Sequence, residues 1–155
     1  MKTLILVRHS KAQDLAPGMI DAQRPLKESG LLDAAKLGVR LREASLVPQL
    51  IVASPAVRTL STATILAGEL RVPAQEIEPE PEIYEAECRD LLEVIQTLDN
   101  ASACVLLVGH NPGISELASY LSKTPVAPLA TSGVAILSFD IADWSAASKH
   151  SGNLA

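Results

Sequence analysis

The sequence predicts an α/β protein, a three-layer sandwich with a mostly parallel central sheet and helices on both faces, and three observations carry that reading. Two continuous apolar runs, Leu4-Ile5-Leu6-Val7 and Val105-Leu106-Leu107-Val108, have the composition of strands buried on both faces of a parallel sheet. Segments with the helical spacing i, i+3, i+4, i+7 stand between the strand-like runs. Strand and helix alternate along the chain, which is the order a parallel sheet with crossover helices requires.

The first strand is read over 3–7 and the first helix from Leu31, Ala34, Ala35 and Gly38. A second strand follows at 49–53, then a helix carried by Ala63, Leu66, Ala67 and Leu70. Ser54-Pro55 and Asn111-Pro112 each read as an N-cap and first-turn pair opening the next helix. Segment 76–87 holds six glutamates together with Pro79 and Pro81, which forbid a central strand, so it reads as an edge strand near 75–79 running into a loop. Leu91, Val94, Ile95 and Leu98 mark a third helix, 103–108 a strand, Ile114, Leu117, Ala118 and Leu121 a fourth helix, and 134–139 a further strand. Trp144 reads as part of a closing turn or a short hairpin strand packed on the sheet, and His150 as an exposed tail residue.

A chain of 155 residues fits one domain, 1–155, able to bury about two thirds of the surface its unfolded form exposes. Net charge is −5 and aromatic residues make up 3%, which argues against nucleic acid, whose binders carry basic footprints and stacking rings. Cys88 and Cys104 are not in a C-x-x-C pair and read as reduced packing thiols. Arg8 interrupts the first apolar run too early for a signal-peptide core, and no segment approaches the roughly 18 apolar residues of a membrane span. The expectation is a cytoplasmic protein with no membrane partner.

Chemistry concentrates where strands end. His9 follows Arg8 at the end of the first run, and His110 follows Gly109 at the end of the fourth strand, so two strands deliver histidines to what is one edge if they are neighbours. Arg58 falls in the first turn of a helix, where a cation opposes the macrodipole unless an anion is bound. Arg8, Arg58, His9, His110 and two helix N-termini around one volume imply a phosphate or similar oxyanion.

These residues resemble the histidine phosphatase superfamily. Leu6-Val7-Arg8-His9-Ser10 is similar to its Arg-His-Gly signature, Ser54 to Ala63 to its second-arginine helix, and Val108-Gly109-His110-Asn111-Pro112 to its second-histidine strand end. Asp21 to Leu26 followed by Gly30 resembles the lead-in to the first helix, and Lys11-Ala12 makes the chain most similar to compact phosphohistidine phosphatases of the SixA type. The resemblance implies a phosphoglycerate-mutase-like fold and a phosphatase that needs no metal or other cofactor. His9 is then the nucleophile, and Arg8, Arg58 and protonated or donor His110 hold the oxyanion, with Asn111 beside it. Arg24 either reaches the same oxyanion or pairs with Asp21 to anchor the first long loop. Glu82 or Glu85 supplies a general acid, or both belong to a solvated acidic loop.

The expected substrate is phosphohistidine on a transiently bound protein, since nothing between Ser54 and His110 has the length of a lid domain. Three rival readings are a phosphatase or mutase of small phosphate esters, a phosphate-binding module without turnover, and a metal site of His9, His110 and Cys104. Two arginines and two helix N-termini make the shared volume electrostatically wrong for a cation.

Overall fold

Leu4, Ile5, Leu6 and Val7 form the middle of strand β1 (Lys2–Arg8), and none exposes any surface to solvent in the computed structural model, which describes residues 1–155. Alternate side chains leave the strand on opposite faces, so Leu4 and Leu6 enter one core and Ile5 and Val7 another. That two-sided burial is why the run is continuously apolar.

The sheet has six strands in the order β3-β2-β4-β1-β5-β6, where β2 is Leu50–Ala53, β3 Ile77–Pro79, β4 Cys104–Gly109, β5 Val134–Phe139 and β6 Gly152–Leu154. Strands β1 to β4 pair in parallel, while β5 runs antiparallel to β1 and β6 antiparallel to β5. Helices α1 (Glu28–Glu43) and α2 (Val57–Leu70) cover the face reached by Ile5 and Val7, through Leu37, Leu41, Ala63, Leu66, Ala67 and Leu70. Helices α3 (Cys88–Gln96) and α4 (Gly113–Leu121) cover the other, through Leu91, Val94, Ile95, Ile114, Leu117 and Leu121. This is the predicted three-layer sandwich, with the Pro-containing segment at the sheet edge as β3.

Four local expectations are corrected. The buried face of α1 is Gly30, Ala34, Leu37, Gly38 and Leu41, and Leu31 is 44% exposed, because the repeat that packs on α2 runs through Ala34, Leu37, Gly38 and Leu41 rather than through Leu31 and Ala35. Residue Ala56, not Ser54, stands at the N-cap of α2, and Pro112, not Asn111, at that of α4. Ser54 and Asn111 are drawn off by tertiary partners described below. Leu98 lies beyond the end of α3. Trp144 follows the closing-turn alternative, sitting fully buried in a single 3-10 turn with its indole N–H donating to the Ser102 carbonyl at 2.8 Å, while β6 supplies the closing hairpin strand.

Cys88 and Cys104 are both unpaired, and burial pushes both thiols up from their ordinary range, as the packing-thiol reading expects. No helix is long and apolar enough to cross a membrane.

Candidate active site

Parallel pairing brings the carboxyl ends of β1, β4 and β2 to one edge. Arg8 lies opposite Gly109 and Val108 opposite Ala53, so the next residues of each strand, His9, His110 and Ser54, become neighbours. The ladder continues one step further: the His9 N–H donates to the Gly109 carbonyl at 3.1 Å, and the Ser54 N–H to the Val108 carbonyl at 3.3 Å. As a result the His9 and His110 rings stand 5.4 Å apart, centroid to centroid.

His9 is held in one tautomer. Its Nδ1 donates to the carbonyl of Ser10 at 2.8 Å, which leaves Nε2 with a lone pair. Burial, opposed by the Ser10 hydrogen bond and reinforced by Arg58, Arg8 and Arg24, lowers the imidazole to about 4. At neutral pH it is the uncharged, nucleophilic form. Ser10 is itself fixed, its N–H donating to Thr62 Oγ1 at 3.0 Å and its hydroxyl bonded to that of Ser132 at 2.6 Å. It takes no left-handed conformation, so a serine in place of the signature glycine introduces no backbone strain here.

Arg8 donates from Nη1 to the Leu129 carbonyl at 3.2 Å, and Arg58 from Nη1 and Nη2 to the Asp21 carbonyl and carboxylate, each at 2.9 Å. His110 Nε2 is bonded to the Ser54 hydroxyl at 2.8 Å. Burial first, then Arg58 and His9, lower this imidazole to about 3, so His110 is neutral rather than protonated at neutral pH. Three buried side-chain atoms in the whole chain have no hydrogen-bond partner: Arg8 Nε, Arg58 Nε and His110 Nδ1. All three belong to this one site. Buried polar groups are otherwise paired almost without exception, so three unpaired nitrogens together form a set of donors that an oxyanion would satisfy.

Asp21 organises the cationic side. Its carboxylate accepts from the Tyr84 hydroxyl at 2.6 Å, from Arg24 Nη1 at 3.1 Å and from Arg58 Nη2 at 2.9 Å. The Tyr84 bond, with those from Arg24 and Arg58, holds the carboxyl well below the usual range. Tyr84 is pushed up to about 12 by the same bond, which keeps it a hydroxyl donor. Arg24 also donates from Nε to the Gln13 carbonyl at 2.8 Å, so the loop-anchoring reading describes its contacts, while its charge still bears on His9.

His9, Arg8, Arg58 and His110 are therefore brought together as the sequence predicts. Asn111 is otherwise engaged. Its amide donates to the Leu129 carbonyl at 2.8 Å and accepts from the Ser115 hydroxyl at 2.6 Å, anchoring the loop that carries Leu129 and leaving its carbonyl oxygen occupied. Glu82 is not at the site, because the 3-10 turn Pro81–Ile83 buries Ile83 and turns Glu82 toward a surface groove shared with Glu80, Asp90 and Glu93. Glu85 is exposed and lies on the wall of a cavity of about 490 Å³ that also includes His110, without a hydrogen bond into the site. Cys104 opens β4 and His110 follows its end, about 20 Å of strand away, so the three-residue metal site cannot assemble.

From the sequence Asp21 reads as a partner of Arg24 and Ser54 as a cap, and nothing there singles out Tyr84 or Thr62. Asp21 three residues before Arg24, at helical-turn spacing, is the one local signal among them. Tyr84 reaches Asp21 across 63 positions of chain, a contact no spacing reveals.

Known proteins share this fold. The structure of a candidate phosphohistidine phosphatase SixA from Agrobacterium tumefaciens is similar at 28% identity and TM-score 0.78, covering 89% of this chain and 92% of that one. The protein histidine phosphatase SixA complexed with tungstate shares the fold at TM-score 0.82 and 23% identity, over 99% of this chain and 94% of the other. An uncharacterized chloroplastic protein of Arabidopsis thaliana is 29% identical over 97% of this chain and 72% of its own length. The family profile of the histidine phosphatase superfamily (branch 1) matches residues 4–91, more than half of the sequence. The chain belongs to the histidine phosphatase superfamily, and phosphatase activity is what that membership supports.

Proposed function

We propose that this phosphatase removes the phosphoryl group from phosphohistidine carried by a protein, with His9 as the nucleophile. The observation that carries the reading is the set of unpaired donors, Arg8 Nε, Arg58 Nε and His110 Nδ1, around an imidazole whose Nε2 lone pair is free. A phosphoryl group placed among them meets a nucleophile in line with its leaving nitrogen and donors for its equatorial oxygens. The His9 Nε2–P bond forms as the substrate P–N bond breaks, and the departing imidazole takes up a proton. Water then attacks the phosphorus of phospho-His9, releasing orthophosphate and restoring the free imidazole.

Substrate class follows from the proton demand. A leaving imidazole has a conjugate-acid pKa of about 6.5 and is readily protonated near neutral pH. Alkoxide expulsion needs a positioned acid, typically worth about 10²–10⁴-fold, and neither Glu82 nor Glu85 is hydrogen-bonded into this site. Between Ser54 and His110 the chain builds α2, a three-residue strand, short turns, α3 and β4, with no segment of lid-domain length, which supports a bulky protein-borne substrate.

Brief exposure to phosphoramidate should leave a phosphoryl group on His9, seen by intact mass, labile in acid and stable in base, and absent from His9→Ala. Protein phosphohistidine should be turned over best, aryl phosphates much more slowly and alkyl phosphates near background, with Glu82→Gln and Glu85→Gln almost without effect and chelators inert. Labelling of the alanine variant, or efficient alkyl phosphate hydrolysis lost with either glutamate, contradicts the proposal.

A further inference from the structure

We infer that Ser54 is a positioning residue that holds His110 in the Nδ1–H tautomer, so that His110 offers the phosphoryl group an uncharged N–H donor. The identity of that acceptor rests on the function proposed above. The tautomer itself does not.

The inference comes from counting protons on one buried hydroxyl. Ser54 is inaccessible to solvent, and its Oγ has two partners, the Ala56 N–H at 3.2 Å and His110 Nε2 at 2.8 Å. A serine hydroxyl carries one proton and two acceptor lone pairs, and the Ala56 N–H occupies one of those lone pairs. If Nε2 of His110 were protonated, Oγ would accept two N–H groups and its own proton would have no acceptor, because Ser54 exposes no surface to solvent. With the proton on Nδ1, the hydroxyl donates to Nε2 and every group of the Ser54–Ala56–His110 set is paired except Nδ1–H. Both flanks of Ser54 are fixed, its N–H on the Val108 carbonyl at 3.3 Å and its carbonyl on the Thr59 hydroxyl at 2.7 Å, so the hydroxyl stays aimed at the ring.

The two histidines then carry the same tautomer and present opposite ends. His9 has its Nδ1–H engaged by the Ser10 carbonyl and shows a lone pair, whereas His110 has its Nε2 lone pair engaged by Ser54 and shows an N–H. One is built as nucleophile and the other as donor. A neutral donor also avoids adding a third full charge beside Arg8 and Arg58, and burial of the ring acts in the same direction.

The test is the ¹⁵N spectrum of the imidazole nitrogens of the free protein at neutral pH, read without substrate and therefore independent of which phosphate compound is turned over. Wild-type His110 should show a protonated Nδ1 and an unprotonated Nε2, and Ser54→Ala should convert this to a tautomer mixture while His9 keeps its own pattern. The same variant should lose about tenfold in kcat/KM and in vanadate affinity, the scale of one hydrogen bond, with His9 still the phosphorylated residue. A protonated Nε2 on His110 in the wild-type protein overturns the inference, and so does an unchanged Nδ1–H pattern in Ser54→Ala.

Discussion

The proposed mechanism needs an unprotonated histidine to attack phosphorus and cations to hold the oxyanion it attacks, and one set of residues in this site suits both demands. Arg58, Arg8 and Arg24 add to burial in lowering His9 to about 4, and two of them also supply the unpaired donors. In that mechanism, nucleophile and oxyanion pocket are electrostatically one unit. Arg58→Ala should raise the His9 titration midpoint toward the ordinary 6.5, because a cation that disfavours the imidazolium is gone, and NMR titration of the ring reads this directly. Arg8→Ala or Arg58→Ala should also lose roughly 2–4 kcal/mol of transition-state stabilisation, measured as kcat/KM, the scale of one preorganised donor. Asp21→Asn should weaken the site through geometry rather than charge alone, since the carboxylate accepts from Arg58, Arg24 and Tyr84 at once. At this scale His9, Arg8, Arg58 and His110 were legible because each stands at a strand end or a helix start. Tyr84 and Ser54 were not, because what they touch is set by folding.

Two helices begin where the sheet edge needs them, and neither starts at the residue its local sequence favours. Ser54 has the side chain of an N-cap, but its hydroxyl lies 2.8 Å from His110 Nε2, and Ala56 stands at the cap instead. Asn111 likewise anchors Leu129, whose carbonyl also accepts from Arg8 and whose N–H donates to Ser115 at 2.9 Å, so one clamp ties β1, the start of α4 and the loop before β5 together. The first residue of α4, Gly113, packs directly on the Ala86 carbonyl, and a Cβ there would collide with it. Gly113→Ala should therefore cost about 1–3 kcal/mol in chemical denaturation, the overpacking range, and should disturb His110 more than His9 because it moves the His110 side of the edge. Absence of any change in stability would mean that Ala86 yields freely. Helix existence was plain from periodicity, whereas the phase of α1 was not. Leu31 satisfies the repeat but is left 44% exposed in a surface groove beside α2, and Gly38, lying against Glu69, marks the close contact.

Across the whole molecule, function is held against stability by two buried, neutral imidazoles. His9 and His110 titrate at about 4 and about 3 when folded and near 6.5 when unfolded, so below the unfolded value the unfolded state binds more protons and stability is lost as the pH is lowered. Above that value both states are neutral and these groups contribute no slope. Urea unfolding should show a loss of about 2 kcal/mol per histidine between roughly pH 7 and pH 5, and a His9→Gln/His110→Gln double variant should flatten that slope. An equally steep slope in the double variant would assign it to other groups. The layered architecture that makes such burial possible was determined by the sequence alone: runs such as Leu4 to Val7 are apolar on both faces, and amphipathic segments between them must cover both. So was the delivery of His9 and His110 to strand ends, since a residue's place along a strand is a local property. Only the tertiary structure decided the order β2-β4-β1, which makes Ser54, His110 and His9 adjacent, the Asp21–Tyr84 bond across the site, and the turning of Glu82 toward another groove. Periodicity records how much of each element is buried, whereas neighbours across a sheet edge and hydrogen-bond partners far apart in the chain are fixed by the packing of all the elements at once.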